Sequence, residues 1–123
     1  RRMIEKIGGT ARNISTPQEV FESTKIILPG VGHFDAGIRS LRAMGLLDPL
    51  IERIQIDRVP VLGICLGMHI LCKSSDEGDE IGLGLINAQV KRFNTDNKVR
   101  LRIPHMGWNT VDAVRDNAII PLL

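Results

Sequence analysis

Residues 59–67 read Val-Pro-Val-Leu-Gly-Ile-Cys-Leu-Gly, an apolar run that passes without a spacer into a glycine-flanked cysteine and then a helical pattern. Few folds accept such a stretch. A buried strand has to turn into a helix within a residue or two, and Gly63 and Gly67 leave room for that turn and for close approach of another group. The side chain of Cys65 then projects from the bend. The helix start behind it brings unpaired N–H groups and a positive dipole end, which lower a thiol's pKa and stabilise negative charge nearby. Cys65 is therefore a candidate nucleophile. A cysteine in an apolar strand is also at home as a small buried hydrophobe, and the pattern at 63–67 alone leaves both readings open.

The flanking sequence alternates between helix and strand signals. Met3, Ile4 and Ile7 recur at helical spacing and stop at Gly8-Gly9, as a helix tail with a glycine cap does. Ser15-Thr16-Pro17 with Glu19 predicts a capped helix start with proline in its first turn. Residues 25–28 predict a buried strand running into the loop Pro29-Gly30-Val31-Gly32, with Asp35 placed to cap the next helix. Ile38, Leu41 and Leu46 continue that helix, and Leu50, Ile51 and Ile54 mark a second, ending near Asp57 ahead of a strand at 59–64. Strands separated by helices predict a parallel sheet covered on both faces. Beyond the cysteine, residues 74–80 read as a polar loop tightened by Gly82-Leu83-Gly84-Leu85. Segments 88–93 and 99–103, flanking 94–97, predict an antiparallel hairpin attached to the main sheet.

Composition narrows the function classes. With 123 residues, 43% of them hydrophobic, the chain supports one modest core, so residues 1–123 are expected to belong to a single domain. Sixteen basic residues balance fourteen acidic ones along the whole sequence, and no basic run tracks a phosphate backbone, which argues against nucleic acid as a partner. The two cysteines, Cys65 and Cys72, stand seven apart, on one side of a helix and too far along it for a disulfide. No apolar stretch reaches membrane-spanning length and Arg1-Arg2-Met3-Ile4-Glu5-Lys6 lacks a signal segment, so a reduced, cytoplasmic setting without a membrane is expected.

In an open parallel sheet the two glycine loops emerge together at the carboxyl edge, where ligands bind. Val31 and Leu66 then become neighbours, and their N–H groups can point into one small space beside the Cys65 sulfur.

Four segments appear in order: Pro29-Gly30-Val31-Gly32, Gly63-Ile64-Cys65-Leu66-Gly67-Met68, Gly82-Leu83-Gly84-Leu85 and Pro104-His105-Met106-Gly107-Trp108-Asn109. Together they resemble the glutaminase subunits of imidazole glycerol phosphate synthase, within the class I glutamine amidotransferases. The resemblance implies a three-layer, flavodoxin-like α/β fold, incomplete at both ends in these 123 residues. It also implies hydrolysis of glutamine through a Cys65 thioester, with ammonia passed to a barrel-shaped cyclase partner in a heterodimer that serves histidine biosynthesis. In this resemblance Val31, Gly32 and Leu66 form the oxyanion hole. Gly30, Gly67, His69 and Glu77 bind substrate, Glu77 by holding its amino group. Pro104, Met106, Trp108 and Asn109 face the partner, although filling of a core is an equal reading for Trp108. No cofactor and no metal are implied.

The chain also departs from that pattern. The family carries glutamine four residues after the nucleophile, where this chain has His69, on the same helix face as Cys65. That histidine can donate to the substrate, stabilise the thiolate, or be a tolerated change. His33 and His105 read as surface or structural residues. The family's acid/base is a histidine and glutamate pair near its C-terminus, beyond residue 123, so the 123-residue chain alone is expected to lack efficient glutaminase activity. Three rivals remain at this level: an ammonia-supplying subunit for a sugar-amidating synthase of surface-polysaccharide biosynthesis, a non-catalytic partner-binding module, and a cysteine hydrolase of the intracellular peptidase type.

Overall fold

The computed structural model describes residues 1–94, 103 and 106–112. The chain separates into two units, Arg1–Arg92 and Phe93–Leu123, and every helix and strand among the described residues belongs to the first.

Helix α1, Arg2–Lys6, buries nothing and ends as its sequence predicts, with Gly8 at φ +85 just past it. Helix α2, Pro17–Phe21, is set by its first turn. Thr16 Oγ1 accepts the Glu19 N–H at 3.4 Å while the Glu19 carboxylate accepts the Thr16 N–H at 3.0 Å, and Pro17 gives up no hydrogen bond at that position. This start aims Val20 into the core, where it is fully buried.

Strand β1, Ile26–Gly30, pairs in parallel with β2, Val61–Cys65, in the register Ile26↔Val61, Leu28↔Gly63 and Gly30↔Cys65. Helices α3, Phe34–Ala43, and α4, Leu47–Gln55, make the crossover that parallel strands require. Between them the chain turns at Gly45, φ +68, whose N–H bonds the Arg42 carbonyl while Leu46 N–H bonds Leu41, both at 2.9 Å, a glycine-closed helix end. Helix α5, Leu66–Leu71, begins immediately after β2.

Each strand reaches further than local sequence indicates. β1 runs on through Pro29 and Gly30, and β2 includes Cys65 itself. A proline is compatible with an edge strand, and β2 is the one partner of β1 among the described residues. Asp35 does not cap α3. His33 does so, its Nδ1 accepting the Asp35 N–H at 3.3 Å, because the chain enters the helix two residues before Asp35.

Alternation along the strands divides the sheet into two faces. Ile26, Leu28 and Val61 pack against helices in two clusters, one around Phe34, Ile38, Leu66, Ile70, Leu71 and Leu83, the other around Val20, Leu46 and Leu50. Burial of each large side chain contributes about 1.5–3 kcal/mol. Ile27, Leu62 and Ile64 on the other face stay 40–49% exposed, so among the described residues the sheet carries helices on one face. The parallel α/β arrangement is present.

After α5 the chain departs from its sequence reading. Ser74–Ser75, expected in a polar loop, form β3, which pairs in parallel with β4, Gln89–Val90. The segment expected as a strand over 88–93 is thus short, and its partner is β3. Most of the other hairpin strand, 99–102, lies outside the described residues. Tertiary hydrogen bonding explains the change. The N–H groups of Leu83, Gly84 and Ile86 donate to the carbonyls of Ile70, Cys72 and Leu71 at 2.8–3.1 Å, and these bonds satisfy the end of α5.

Candidate active site

The bend at Cys65 is sharp because three glycines let backbones meet there. A Cβ on Gly67 would fall on the Leu28 carbonyl oxygen of β1, and one on Gly63 would stand 2.7 Å from Met68 Cα. A Cβ on Gly30 would lie 3.0 Å from Leu66 Cβ and 3.2 Å from the Gly67 nitrogen. These are close approaches between main chains, which flexible side chains cannot relieve. Cys65 itself takes φ +55, ψ −122, a conformation rare for any residue with a Cβ.

Cys65 is exposed and in no disulfide, and its side chain does not cap the helix behind it. The parallel register sets Gly30 opposite it, so Val31 and Gly32 follow at the edge where the sulfur emerges. Val31 is 93% exposed and Gly32 has φ +116, whereas Leu66 and Gly67 are buried. The two glycine loops thus converge at the carboxyl edge of the sheet as their sequence positions indicate. His69 lies half-buried on α5, one turn beyond Cys65. Cys72 is buried and ends that helix, consistent with a core role.

Glu77 is exposed, and its Oε2 accepts the Phe34 N–H at 3.1 Å, the first amide of α3. Asp35 Oδ1 accepts the Glu80 N–H at 3.0 Å, and Arg42 pairs with Glu80 at 2.9 Å. The Glu80 amide, helped by the Asp79 amide and the Arg39 charge, holds the Asp35 carboxyl below its usual value despite a contrary effect of burial. Sequence reading missed this anchoring. Its one local signal was Gly78, where a Cβ would fall on the Asp35 carboxylate.

A cleft of about 300 Å³ opens between residues 28–33 and α3. Leu66 lines it and Cys65 does not. Leu28, Leu41 and Ile70 supply much of its wall, His33 and Ser40 are its polar side chains, and no carboxylate lines it.

In the unit Phe93–Leu123, Met106 is 85% and Trp108 104% exposed. Asn109 is exposed, and Pro104 and His105 lie outside the described residues.

The description of the SNO glutamine amidotransferase family matches residues 1–100, a span holding the elbow, the 29–32 loop and Glu77. The chain belongs to this family. Among curated relatives, the imidazole glycerol phosphate synthase subunit HisH 2 of Methanococcus maripaludis is 49% identical over 111 residues, 90% of this chain and 54% of that one. The HisH subunit of Leptospira interrogans is 44% identical over 87% of this chain and 53% of its own length, and HisH 2 of Pseudomonas aeruginosa 41% identical over 96% and 57%. This amidotransferase chain therefore spans about half the length of the curated relatives it matches. No helix among its described residues is long and apolar enough to cross a membrane.

Proposed function

We propose that the whole protein hydrolyses glutamine and passes the ammonia to a barrel-shaped synthase subunit that makes imidazole glycerol phosphate. The observation that carries this reading is an exposed thiol on a strained strand-to-helix bend, with Gly30, the last residue of the neighbouring strand, opposite it in register. In this reading the Cys65 thiolate adds to the side-chain amide carbon. The carbonyl oxygen becomes an oxyanion held by the N–H groups of Val31 and Leu66, with Gly32 giving the Val31 peptide freedom to turn inward. Collapse expels ammonia after proton transfer to its nitrogen, leaving a thioester, and water then releases glutamate and the thiol. The proton carrier is assigned by family resemblance to a histidine and glutamate pair outside these 123 residues.

Glu77 holds the substrate ammonium, Gly30 and Gly67 line the approach, and His69 donates to the substrate from the helix face it shares with Cys65. We read both units as one domain of three-layer, flavodoxin-like type, whose second helix layer covers Ile27, Leu62 and Ile64. Pro104, Met106, Trp108 and Asn109 meet the synthase, and the exposed indole suits an interface anchor. A cytoplasmic setting accords with two unpaired cysteines. The relatives' names favour this acceptor over a sugar-amidating synthase.

The test uses full-length protein with its synthase partner. Cys65→Ala is expected to end glutamate release and labelling by a glutamine-like chloroketone while leaving the complex intact, whereas Trp108→Ala is expected to weaken the complex. Turnover retained by Cys65→Ala rejects the nucleophile, and an inert Cys65 in the wild type favours a non-catalytic module.

A further inference from the structure

The turn that carries Glu77 has little internal structure to hold it. Glu77 N–H bonds Ser75 Oγ at 3.1 Å and Gly78 N–H bonds the Ser75 carbonyl at 3.3 Å. Among the described residues, the other hydrogen bonds and ion pairs that locate residues 77–80 come from α3. Phe34 N–H takes one oxygen of Glu77, Asp35 Oδ1 takes the Glu80 N–H, and Gly78 lies so close to the Asp35 carboxylate that no Cβ fits between them. Arg42 holds the Glu80 side chain at 2.9 Å, and Arg39 stands 3.8 Å from Glu80 and 3.9 Å from Asp35.

The arrangement divides the work of the Glu77 carboxylate. Oε2 is oriented by a main-chain amide that cannot move without α3, whose first residue Phe34 is fully buried. Among the described residues Oε1 has no hydrogen-bond partner, and a carboxylate oriented on one side is ready to receive an ammonium on the other. The orientation lasts only while the backbone at 77–80 stays against the first turn of α3, and Asp35 is the side chain that clamps it there.

We propose that Asp35 is a positioning residue for the substrate amino group, acting through Glu77 by docking the 77–80 turn onto α3. The inference rests on the glutaminase reading and on the amino-group role of Glu77.

Full-length protein with its synthase partner is assayed on glutamine and on glutaramate, the same amide without the amino group. Asp35→Ala is expected to raise KM for glutamine about tenfold, the worth of one charge-assisted contact, with kcat unchanged. Glutaramate hydrolysis is expected to stay the same, since it offers Glu77 no ammonium. Asp35→Asn keeps a carbonyl acceptor for the Glu80 N–H and is expected to restore most of the glutamine KM. Glu77→Gln is expected to remove the preference for glutamine over glutaramate.

Equal losses on both substrates in Asp35→Ala would make Asp35 a merely structural residue and overturn the proposal while leaving the glutaminase reading standing. Asp35→Asn as impaired as Asp35→Ala, or an intact preference in Glu77→Gln, overturns it too. Absence of glutamine turnover in the wild-type complex removes the underlying reading, and the proposal with it.

Discussion

Replacing Cys65 by glycine in the full-length protein is expected to stabilise the fold while it ends catalysis. At φ +55 and ψ −122 a Cβ crowds the backbone, and such conformations cost about 1–3 kcal/mol per residue. Glycine loses more freedom on folding than alanine does, which subtracts roughly 0.5–1 kcal/mol from the gain. The cysteine is exposed, so truncating its thiol removes little packing. Cys65→Ala is the proper reference because it removes the sulfur and keeps the Cβ. The two terms leave Cys65→Gly about 1 kcal/mol more stable than Cys65→Ala, or roughly 2–4 °C in Tm for a domain of 150–250 residues. Thermal unfolding of both variants by circular dichroism, at one pH and protein concentration, reads the difference directly. A glycine variant melting at or below the alanine variant would refute the idea that the fold holds Cys65 in a strained bend.

Gly67→Ala drives a Cβ into the Leu28 carbonyl, a fixed strand atom, and is expected to cost about 3 kcal/mol in urea unfolding. Gly84→Ala meets open space at φ +65 and is expected to cost only about 1 kcal/mol, so equal costs would count against steric contact as the cause. Thr16→Ala removes one half of the α2 capping box and is expected to cost about 1 kcal/mol by the same measurement. The carboxyls of Asp35, Asp76 and Glu19 are held below their ordinary values of 3.8 and 4.5, chiefly by the N–H groups of Glu80, Arg92 and Ser15. A depressed folded-state pKa means that the unfolded chain takes up protons first as pH falls. This stability is present above about pH 4.5 and lost as pH drops through the folded values. The urea midpoint should stay level from about pH 7 to 5 and fall below that; a fall beginning near pH 6.5 would point to histidine instead.

Much of the site was legible because its signals are local. Glycines on both sides of a cysteine at a strand end permit a tight turn, and the contacts of Gly63 and Gly67 show backbone meeting backbone as that pattern implies. The α2 start was equally plain, since Thr16, Pro17 and Glu19 complete a capping box within one turn. Asp35 misled because a capping residue is chosen by where the helix axis enters, and with Phe34 buried that entry comes two residues earlier, at His33. Ser74–Ser75 misled for a related reason. Two serines have no strand propensity of note, and they pair because the chain returning at Gln89–Val90 lies beside them.

By itself, then, the order of residues determined the local chemistry: an apolar run, a glycine-bounded thiol, a second glycine loop and the helix starts between them. Those depend on sterics and hydrogen bonds within a few residues. Only the tertiary structure decided that Gly30 stands opposite Cys65, that Glu77 rests on the first amide of α3, and that Asp35 serves Glu80 rather than its own helix. Residues more than forty positions apart are joined in the last two cases, and such pairings follow from how strands register and which faces become buried, which short-range patterns do not encode.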